Sequence, residues 1–286
     1  MTWWQALILG LVEGITEYLP VSSTGHLIIT TSLLGLDQSG EEIRRSVNAF
    51  NIIIQGGAIL AVLGLYRERV LQMLRGLMGK DEAGKKLFFN LVIAFIPAAI
   101  LGVLLDDLIE SLLFSLMPVL IALAGGGLWM IWLDRRSRKK SDDACLLNIE
   151  QMTWKQALLI GLFQCVAMWP GTSRSMMTIA GGMMCKLSAK QAAEFSFLLG
   201  LPTLGGACVF KLVKDVTGEQ PSMFQTLPAV SLVIGIAVAT ITAALAIRWL
   251  VGYLTKHGLA VFGYYRLLLT VLLAILALTG IVTVAP

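Results

Sequence analysis

The segment MTWWQALILGL at residues 1–11 recurs as MTWKQALLIGL at residues 152–162, with eight of the eleven positions identical. With one gap, the match continues from PVSSTG at 20–25 to PGTSRS at 170–175. Two apolar stretches match by chance mainly at leucine and glycine, but this match also preserves Met-Thr-Trp, Gln-Ala and a hydroxyl-rich run after a proline. The pattern predicts an internal duplication of the chain.

The composition of the 286-residue chain is typical of a membrane protein. The chain is 57% hydrophobic and 14% charged, with a mean hydropathy of +0.80, whereas soluble domains average about 45–50% apolar and about 25% charged residues. The net charge of +4 is small, and no basic stripe with interleaved aromatic residues occurs outside short loops. We therefore expect an integral membrane protein with membrane lipid around it and with no nucleic-acid partner.

Hydropathy divides the chain into six candidate spans and two interrupted apolar regions. A helix needs about 20 apolar residues to cross a bilayer, and six stretches satisfy this: 48–66, 87–105, 112–133, 192–212, 227–250 and 258–283. The interrupted regions, 3–34 and 154–186, contain Pro20 and Pro170-Gly171 near their centres. Irregular backbone at membrane depth occurs where protein covers it or where it lines a watery cavity. We expect two pairs of re-entrant half-helices that form a site.

Three of the spans separate the two copies, and this odd number reverses the membrane orientation of the second copy. The sequence thus predicts an all-α polytopic membrane protein with a single domain over 1–286 and inverted repeats of approximately 1–134 and 152–286. In transporters with this plan, interrupted helices meet near the bilayer midplane and point their termini at a substrate. The basic loops at 67–86 and from Asp134 onward should be cytoplasmic. The two proline-broken loops should face each other.

Two carboxylates stand in the first interrupted region. Glu13 and Glu17 are four residues apart, so they share one face of a helix expected to end at Pro20. Carboxylates in a low-dielectric setting repel unless they share a proton, a partner cation or a metal ion. The alternative is a solvated face at the membrane surface, but the flanking residues are apolar. We expect Glu13 and Glu17 to belong to a site that is able to hold a metal ion.

Three hydroxyls and a histidine follow the first proline. Ser22, Ser23 and Thr24 are placed to cap a second half-helix that starts near Gly25 and His26. A capped helix start offers N–H groups and the positive end of a dipole to a phosphate. Capping explains one hydroxyl but not three. A lone histidine is more often structural than catalytic, but beside two glutamates His26 is a candidate acid, base or nucleophile.

The second loop repeats the hydroxyls and adds a cation, Arg174. A guanidinium in a membrane segment needs a partner, and its planar fork matches phosphate oxygens two at a time. The alternative is a structural ion pair with Glu13 or Glu17. The second copy has Gln164 and Met168 where the first has its glutamates, and this asymmetry favours one composite site over two equivalent sites. The hydroxyls of the second copy are Thr172, Ser173, Ser175 and Thr178.

These motifs resemble the signature segments of the bacterial undecaprenyl-diphosphate phosphatases, also called bacitracin resistance proteins. The resemblance covers nearly the whole chain, and the long glutamate-to-histidine motif is highly specific. One departure is Met176, where the family commonly has a small residue after the Ser-Arg-Ser triplet. The segments that carry the resemblance are EGITEYLPVSSTGHLI at 13–28, IIQGGAILAVL at 53–63, PGTSRSMMTIAGG at 170–182, EFSFLLGLP at 194–202 and YYR at 264–266.

The resemblance implies a membrane hydrolase that removes the terminal phosphate from a C55 polyprenyl diphosphate and so recycles the lipid carrier of peptidoglycan synthesis. It also implies bacitracin resistance, dependence on magnesium or calcium, and a homodimer. The expected location is the bacterial cytoplasmic (inner) membrane, with the active site open to the periplasmic face. Matching the family's motifs position by position gives the acidic pair Glu13 and Glu17, the first-loop groups Ser23, Thr24 and His26, and the second-loop groups Ser173, Arg174 and Thr178.

The residues and the resemblance together give a set of predicted site residues, with Glu13 and Glu17 as the metal ligands. The attacking group stays open among Ser23 activated by His26 or by a carboxylate, His26 itself, and a metal-bound water. The alternative function is a transporter or flippase of a lipid phosphate or anion, which an inverted repeat also fits. The predicted catalytic residues are Glu13, Glu17, Ser23, His26 and Arg174, and the predicted substrate-binding residues are Ser22, Thr24, Gly25, Thr172, Ser173, Ser175 and Thr178.

Overall fold

A computed structural model describes residues 1–37, 40–113, 115–138, 146–218 and 221–280. No strand occurs within these ranges. Besides the α-helices, the regular features of the described residues are an isolated bridge between Leu147 and Leu187 and a 3-10 turn, Ile149–Gln151. The helices are α1 Trp3–Thr16, α2 Ser23–Leu33, α3 Glu41–Leu65, α4 Arg67–Leu77, α5 Glu82–Leu113, α6 Leu116–Arg138, α7 Trp154–Val166, α8 Arg174–Met184, α9 Ala189–Thr217, α10 Met223–Thr226, α11 Ala229–Leu254 and α12 Ala260–Leu278.

Six of these helices are long and apolar enough to cross a membrane, which confirms the predicted number of spans. They are α3, α5, α6, α9, α11 and α12. Several ends lie beyond the hydropathy limits because helices continue past the apolar window into polar sequence, whereas α6, α11 and α12 begin a few residues inside those limits. The clearest case is α3, which begins at Glu41 rather than at residue 48. The end of the last predicted span, 281–283, lies outside the described residues.

Both interrupted regions contain two short helices, as predicted from their prolines. The helix that carries Glu13 ends earlier than expected, because α1 stops at Thr16 and Glu17 is its C-cap. The second half-helix starts earlier than expected, at Ser23 rather than near Gly25. The acidic pair therefore straddles the end of α1. The re-entry of these helices into a membrane and the opposite orientations of the two repeats stay predictions.

The local structure of the first copy is repeated in the second at a constant separation of 151 residues. Both α1 and α7 begin with a Thr–Gln capping box. Gln5 Nε2 donates to the Leu34 carbonyl at 3.3 Å, and Gln156 Nε2 donates to the Cys185 carbonyl at 2.8 Å. In each copy, a glutamine at the start of the first half-helix thus holds the end of the second.

The caps of α2 and α8 correct the alignment of the two loops by one residue. Ser22 and Ser173 are the N-caps, with φ of 71° and 75°, and each side chain accepts from an N–H in the first turn of its helix. Matching Pro20 with Pro170 requires a gap in the alignment. Matching the N-caps does not, because Ser22 and Ser173 are 151 residues apart, like the equivalent residues of the flanking helices. Ser23 therefore corresponds to Arg174 rather than to Ser173.

Glycines allow each first half-helix to pack closely against a span. A Cβ on Gly10 of α1 would lie 2.5 Å from the carbonyl oxygen of Gly235 in α11. A Cβ on the equivalent Gly161 of α7 would lie 2.4 Å from the carbonyl oxygen of Ala94 in α5. Small residues let membrane helices approach in this way. The two half-helices are thus fixed by backbone-to-backbone packing.

The glycine triplet 125–127 of α6 suggests close helix packing, either within the fold or between subunits. Two of its members pack within the fold, since a Cβ on Gly126 would lie 2.5 Å from Arg266 Nη2 and one on Gly127 would lie 2.9 Å from the Gly263 carbonyl. A Cβ on Gly125 would meet no described heavy atom within 4 Å. Gly126 and Gly127 thus allow α6 and α12 to pack closely next to the second loop.

Candidate active site

One carboxylate, Glu17, joins the starts of α2 and α8. Its Oε2 accepts a hydrogen bond from Ser23 Oγ at 2.8 Å, and its Oε1 accepts from Arg174 Nη2 at 2.9 Å. Ser23 and Arg174 are the first residues of their helices, so the N-terminal ends of both meet at this side chain. Glu17 is 7% exposed, and its charge is balanced by the guanidinium. A buried charge pair of this kind strongly constrains the positions of its partners.

Arg174 is held on three sides by residues from different elements. Besides Glu17, its Nη1 donates to the Ser196 carbonyl of α9 at 3.0 Å, and its Cζ lies 5.3 Å from the centre of the Tyr18 ring. Its Nε is buried and has no hydrogen-bond partner among the described residues. A buried donor without a partner is costly. The guanidinium therefore has a fixed direction and one N–H available to a ligand.

Glu13 lies one helical turn before Glu17 and is completely buried. Neither of its carboxylate oxygens accepts a hydrogen bond from any described donor, and its carboxyl group lies close enough to that of Glu17 for the two to interact electrostatically. No group of three or more acidic, histidine or cysteine side chains that could hold a metal is found in the described ranges. Magnesium commonly uses one or two carboxylates and takes its other ligands from water and substrate phosphates. The two unsatisfied oxygens of Glu13 fit that pattern.

The ring nitrogens of His26 bond to Ser22 and Tyr265 rather than to the Ser23 hydroxyl. Its Nδ1 lies 2.7 Å from the Ser22 carbonyl oxygen, and its Nε2 lies 2.6 Å from the Tyr265 hydroxyl. A carbonyl oxygen only accepts, so Nδ1 carries the proton, and Nε2 accepts from the tyrosine in the neutral ring. Both nitrogens are therefore engaged, and the base in contact with Ser23 is Glu17.

The hydroxyls of the second loop mostly connect structural elements. Ser175 Oγ donates to the Leu19 carbonyl of the first loop at 3.0 Å and lies 3.1 Å from Ser173 Oγ. Thr178 Oγ1 lies 2.6 Å from Ser196 Oγ. These bonds join the second loop to the first loop and to α9. They place both helix starts beside the Glu17 carboxylate.

The other predicted binding residues lie in the same loops. Ser22, Gly25 and Thr172 are buried, and Thr24 is partly exposed beside Ser23. The position equivalent to Glu13 in the second copy, Gln164, is buried and accepts from Thr203 Oγ1 at 3.1 Å. The first copy thus holds the acid, and the second holds a neutral amide at the same place.

Three residues that contact the site were not predicted individually. Ser196 bonds Arg174 and Thr178, Tyr18 lies against the guanidinium, and Tyr265 bonds His26. Ser196 and Tyr265 belong to the EFSFLLGLP and YYR segments that carry the family resemblance, so their signal was present without an assigned role. Met176, the departure from the family, is completely buried beside Gly126.

The sequence is similar to those of a known protein family. Residues 6–272 match the family described as Bacitracin resistance protein BacA. The chain belongs to this family. A relative from Acinetobacter baumannii is 42% identical over 275 residues, which cover 96% of this chain and 95% of the relative. Relatives from Sorangium cellulosum and Pseudomonas fluorescens are 43% and 44% identical, over 94% and 92% of this chain and 84% and 90% of their own lengths. Each of the three is named undecaprenyl-diphosphatase.

Proposed function

We propose that this protein hydrolyses undecaprenyl diphosphate to undecaprenyl phosphate and inorganic phosphate. The observation that carries the proposal is the contact of Ser23 and Arg174 with opposite oxygens of Glu17. It combines a hydroxyl with an adjacent base and a cation with a free N–H, which are the parts that phosphoryl transfer to a serine requires. The names of the relatives favour hydrolysis over the alternative of a transporter or flippase.

In the first step, Ser23 Oγ attacks the terminal phosphorus of the diphosphate. An Oγ–P bond forms while the bond from that phosphorus to the bridging oxygen breaks, and undecaprenyl phosphate leaves with the bridging oxygen. Glu17 Oε2, which already accepts the hydroxyl hydrogen, takes the proton. In the second step, water attacks the same phosphorus while the Oγ–P bond breaks. Glu17 returns its proton to Ser23 Oγ, and the protons of the water leave with inorganic phosphate. The route through Ser23 and a carboxylate is favoured because both nitrogens of His26 are engaged elsewhere.

Arg174 and the two helix starts bind the phosphates in this proposal. The guanidinium would hold an equatorial oxygen through its Nε–H, which has no partner among the described residues. The first N–H groups of α2 and α8 add donors and the positive ends of two dipoles. Arg174 therefore stabilises the charge that spreads over the transferred phosphoryl group.

A divalent cation, magnesium or calcium, is proposed to bind at Glu13 with help from Glu17. The unsatisfied oxygens of Glu13 would hold it and Glu17 would lie beside it. When bound, the ion supplies charge neutralisation for the diphosphate. Without such a cation or a proton, two adjacent buried carboxylates repel each other.

The physiological setting proposed for the protein follows from its family. It would recycle the lipid carrier of peptidoglycan synthesis in the bacterial cytoplasmic membrane and thereby confer bacitracin resistance. The prenyl tail would stay in the lipid while the diphosphate enters between the loops from the periplasmic face. A homodimer is proposed as the functional state.

Phosphate release from a C55 polyprenyl diphosphate by detergent-solubilised protein tests the proposal, because transport requires a sealed membrane and hydrolysis does not. We expect Ser23→Ala to reduce the turnover by about 10³-fold or more, as removal of a nucleophile does. Ser32→Ala is the matched control, since this serine lies on the same helix and donates to Asp37. Absence of phosphate release by the unmodified protein would refute the function, and normal release by Ser23→Ala would refute the nucleophile.

A further inference from the structure

Tyr265 of α12 contacts the site through His26 rather than directly. Its hydroxyl lies 2.6 Å from His26 Nε2, and the two rings are parallel, with 2° between their planes and 5.6 Å between their centres. Tyr265 is 42% exposed, so its ring is not needed to fill the core. Its defined contact is this hydrogen bond. The bond fixes the position of the imidazole, whereas the Ser22 carbonyl at Nδ1 sets its tautomer.

The other nitrogen of His26 acts on the peptide that carries Ser23. Nδ1–H donates to the Ser22 carbonyl at 2.7 Å, and that carbonyl belongs to the peptide bond between Ser22 and Ser23. Ser22 has φ of 71° and ψ of 98°, a conformation that non-glycine residues rarely adopt. Such outliers cost about 1–3 kcal/mol and persist only where the surroundings enforce them. The His26 imidazole is one of the groups that hold Ser22 in this conformation.

The neighbour of Tyr265 in the chain fixes this turn of α12 in place. Arg266 is completely buried, and its guanidinium donates to the carbonyls of Leu123 and Ala122 in α6 and of Gly171 in the second loop, at 2.8 to 3.3 Å. No carboxylate among the described residues forms a salt bridge with it. A buried arginine that bonds two other elements leaves its helix little freedom to move. Tyr265 therefore approaches His26 from a fixed helix.

We propose that Tyr265 is a positioning residue that sets the nucleophile through His26. Because Nδ1–H donates to the Ser22 carbonyl, Nε2 accepts from the Tyr265 hydroxyl. This second bond holds the ring where Nδ1–H keeps the Ser22 carbonyl in place, so that Ser23 Oγ points at Glu17. In this arrangement His26 supports the strained peptide and does not transfer a proton. The inference rests on the proposed function, because it assigns the support of the proposed nucleophile.

Steady-state kinetics of Tyr265→Phe test the positioning role, with Tyr264→Phe as the matched control. Tyr264 is the adjacent tyrosine, and its hydroxyl lies 3.4 Å from Arg135 rather than at the site. We expect Tyr265→Phe to lower kcat about tenfold with KM within about twofold, as loss of one hydrogen bond that acts on the reacting group would do. Tyr264→Phe should match the unmodified protein. Equal kcat in Tyr265→Phe and the unmodified protein would overturn the proposal.

Two further variants distinguish positioning from proton transfer. In a His26→Ala background, Tyr265→Phe should cause no additional loss, because Tyr265 acts through the missing ring. His26→Asn keeps an N–H near the place of Nδ1 and removes the imidazole, so it should recover most of the activity that His26→Ala loses. Additive losses in the double variant, or an Asn variant as inactive as the Ala variant, would overturn the positioning role.

The tautomer can be measured independently of activity. The chain has two histidines, so ¹⁵N-histidine labelling of the protein and of a His257→Gln variant assigns both rings by NMR. We expect a neutral Nδ1–H ring for His26 and a shifted Nε2 resonance in Tyr265→Phe. A protonated ring or an Nε2–H tautomer would overturn the proposal. If the unmodified protein releases no phosphate, the proposed function fails, while this spectrum still decides whether Tyr265 holds His26.

Discussion

The first residues of α2 and α8 occupy equivalent positions in the two copies, yet one is a serine and the other an arginine. Ser23 and Arg174 both follow an N-cap serine with positive φ, and they bind the two oxygens of the same carboxylate, Glu17. The two helix starts thus share one local backbone geometry and meet at a single carboxylate. In the proposed mechanism, the same helix start presents a nucleophile in one copy and a phosphate-binding cation in the other.

Removal of the Arg174 guanidinium is expected to have the largest effect on phosphate release. Arg174→Ala should reduce phosphate release by about 10³-fold or more, because an arginine that stabilises a transferring phosphoryl group contributes about that much. It also leaves Glu17 unpaired, so stability should fall as well. Arg174→Lys keeps the charge without the planar fork and should lose about 100-fold. Phosphate release and the melting temperature of each variant are the measurements.

Arg69 provides a matched control for the loss of a paired arginine. It lies in α4, outside the membrane spans, and forms 2.8 Å ion pairs with Glu150 and with Glu194 of α9. Burial opposes its charge, but the hydrogen bonds of the two carboxylates outweigh burial and raise the pKa of the Arg69 guanidinium above its ordinary value. Arg69→Ala should therefore cost stability, with phosphate release within about threefold of the unmodified protein. Equal activity losses in both arginine variants would contradict the phosphate-binding role of Arg174.

The next comparison is between Glu13 and its equivalent, Gln164. Glu13→Gln should lower phosphate release at least about 100-fold, since the charge that a divalent ion supplies is worth several kcal/mol. Binding of Mn²⁺ to the protein, followed by electron paramagnetic resonance, should weaken in parallel. Gln164→Ala removes one of two acceptors of the Thr203 hydroxyl, the other being the Leu199 carbonyl, and should cost at most about 1 kcal/mol of stability with little loss of turnover. Unchanged Mn²⁺ binding in Glu13→Gln would exclude this residue as a ligand.

The features that could be predicted from the sequence are those that depend on local pattern. The lengths of the apolar stretches predicted the six spans, and the prolines predicted the breaks in both interrupted regions. The partnership of Tyr265 with His26 joins residues 239 positions apart, and no spacing rule predicts such a contact. The loop alignment was one residue off because Pro20 and Pro170 match in identity, whereas the backbone matches at the N-caps Ser22 and Ser173.

The glycine contacts of α1 and α7 predict a smaller and equal effect in both copies. Gly10→Ala and Gly161→Ala each place a methyl group about where the partner helix has a carbonyl oxygen, 2.5 and 2.4 Å away. The helices must separate, at a cost of about 1–3 kcal/mol. The melting temperature should drop by about 3–10 °C in both variants. Gly64→Ala is the control, because its Cβ would meet no described heavy atom within 4 Å. A loss in only one copy would show that the two packings are not equivalent.

The smallest effect is expected where the second half-helices end. Both end in the same way: Leu36 N–H donates to the Thr31 carbonyl, and Leu187 N–H donates to the Gly182 carbonyl. This is the Schellman pattern, and the residue before each donor is left-handed. That residue is Gly35 in the first copy, with φ of 66°, and Lys186 in the second, with φ of 70°.

A lysine in this conformation costs about 1–2 kcal/mol, and glycine avoids that cost but loses about 0.5–1 kcal/mol more chain entropy on folding. Lys186→Gly should therefore stabilise the protein by about 0.5 kcal/mol and raise the melting temperature by about 1–2 °C. Gly35→Ala should lower it by a similar or larger amount, because no described heavy atom would lie within 4 Å of the added Cβ and only the backbone penalty remains. Lys186→Ala removes the exposed charge and keeps the strained backbone. If Lys186→Ala raised the melting temperature as much as Lys186→Gly, the effect would come from loss of the charge rather than from relief of the backbone.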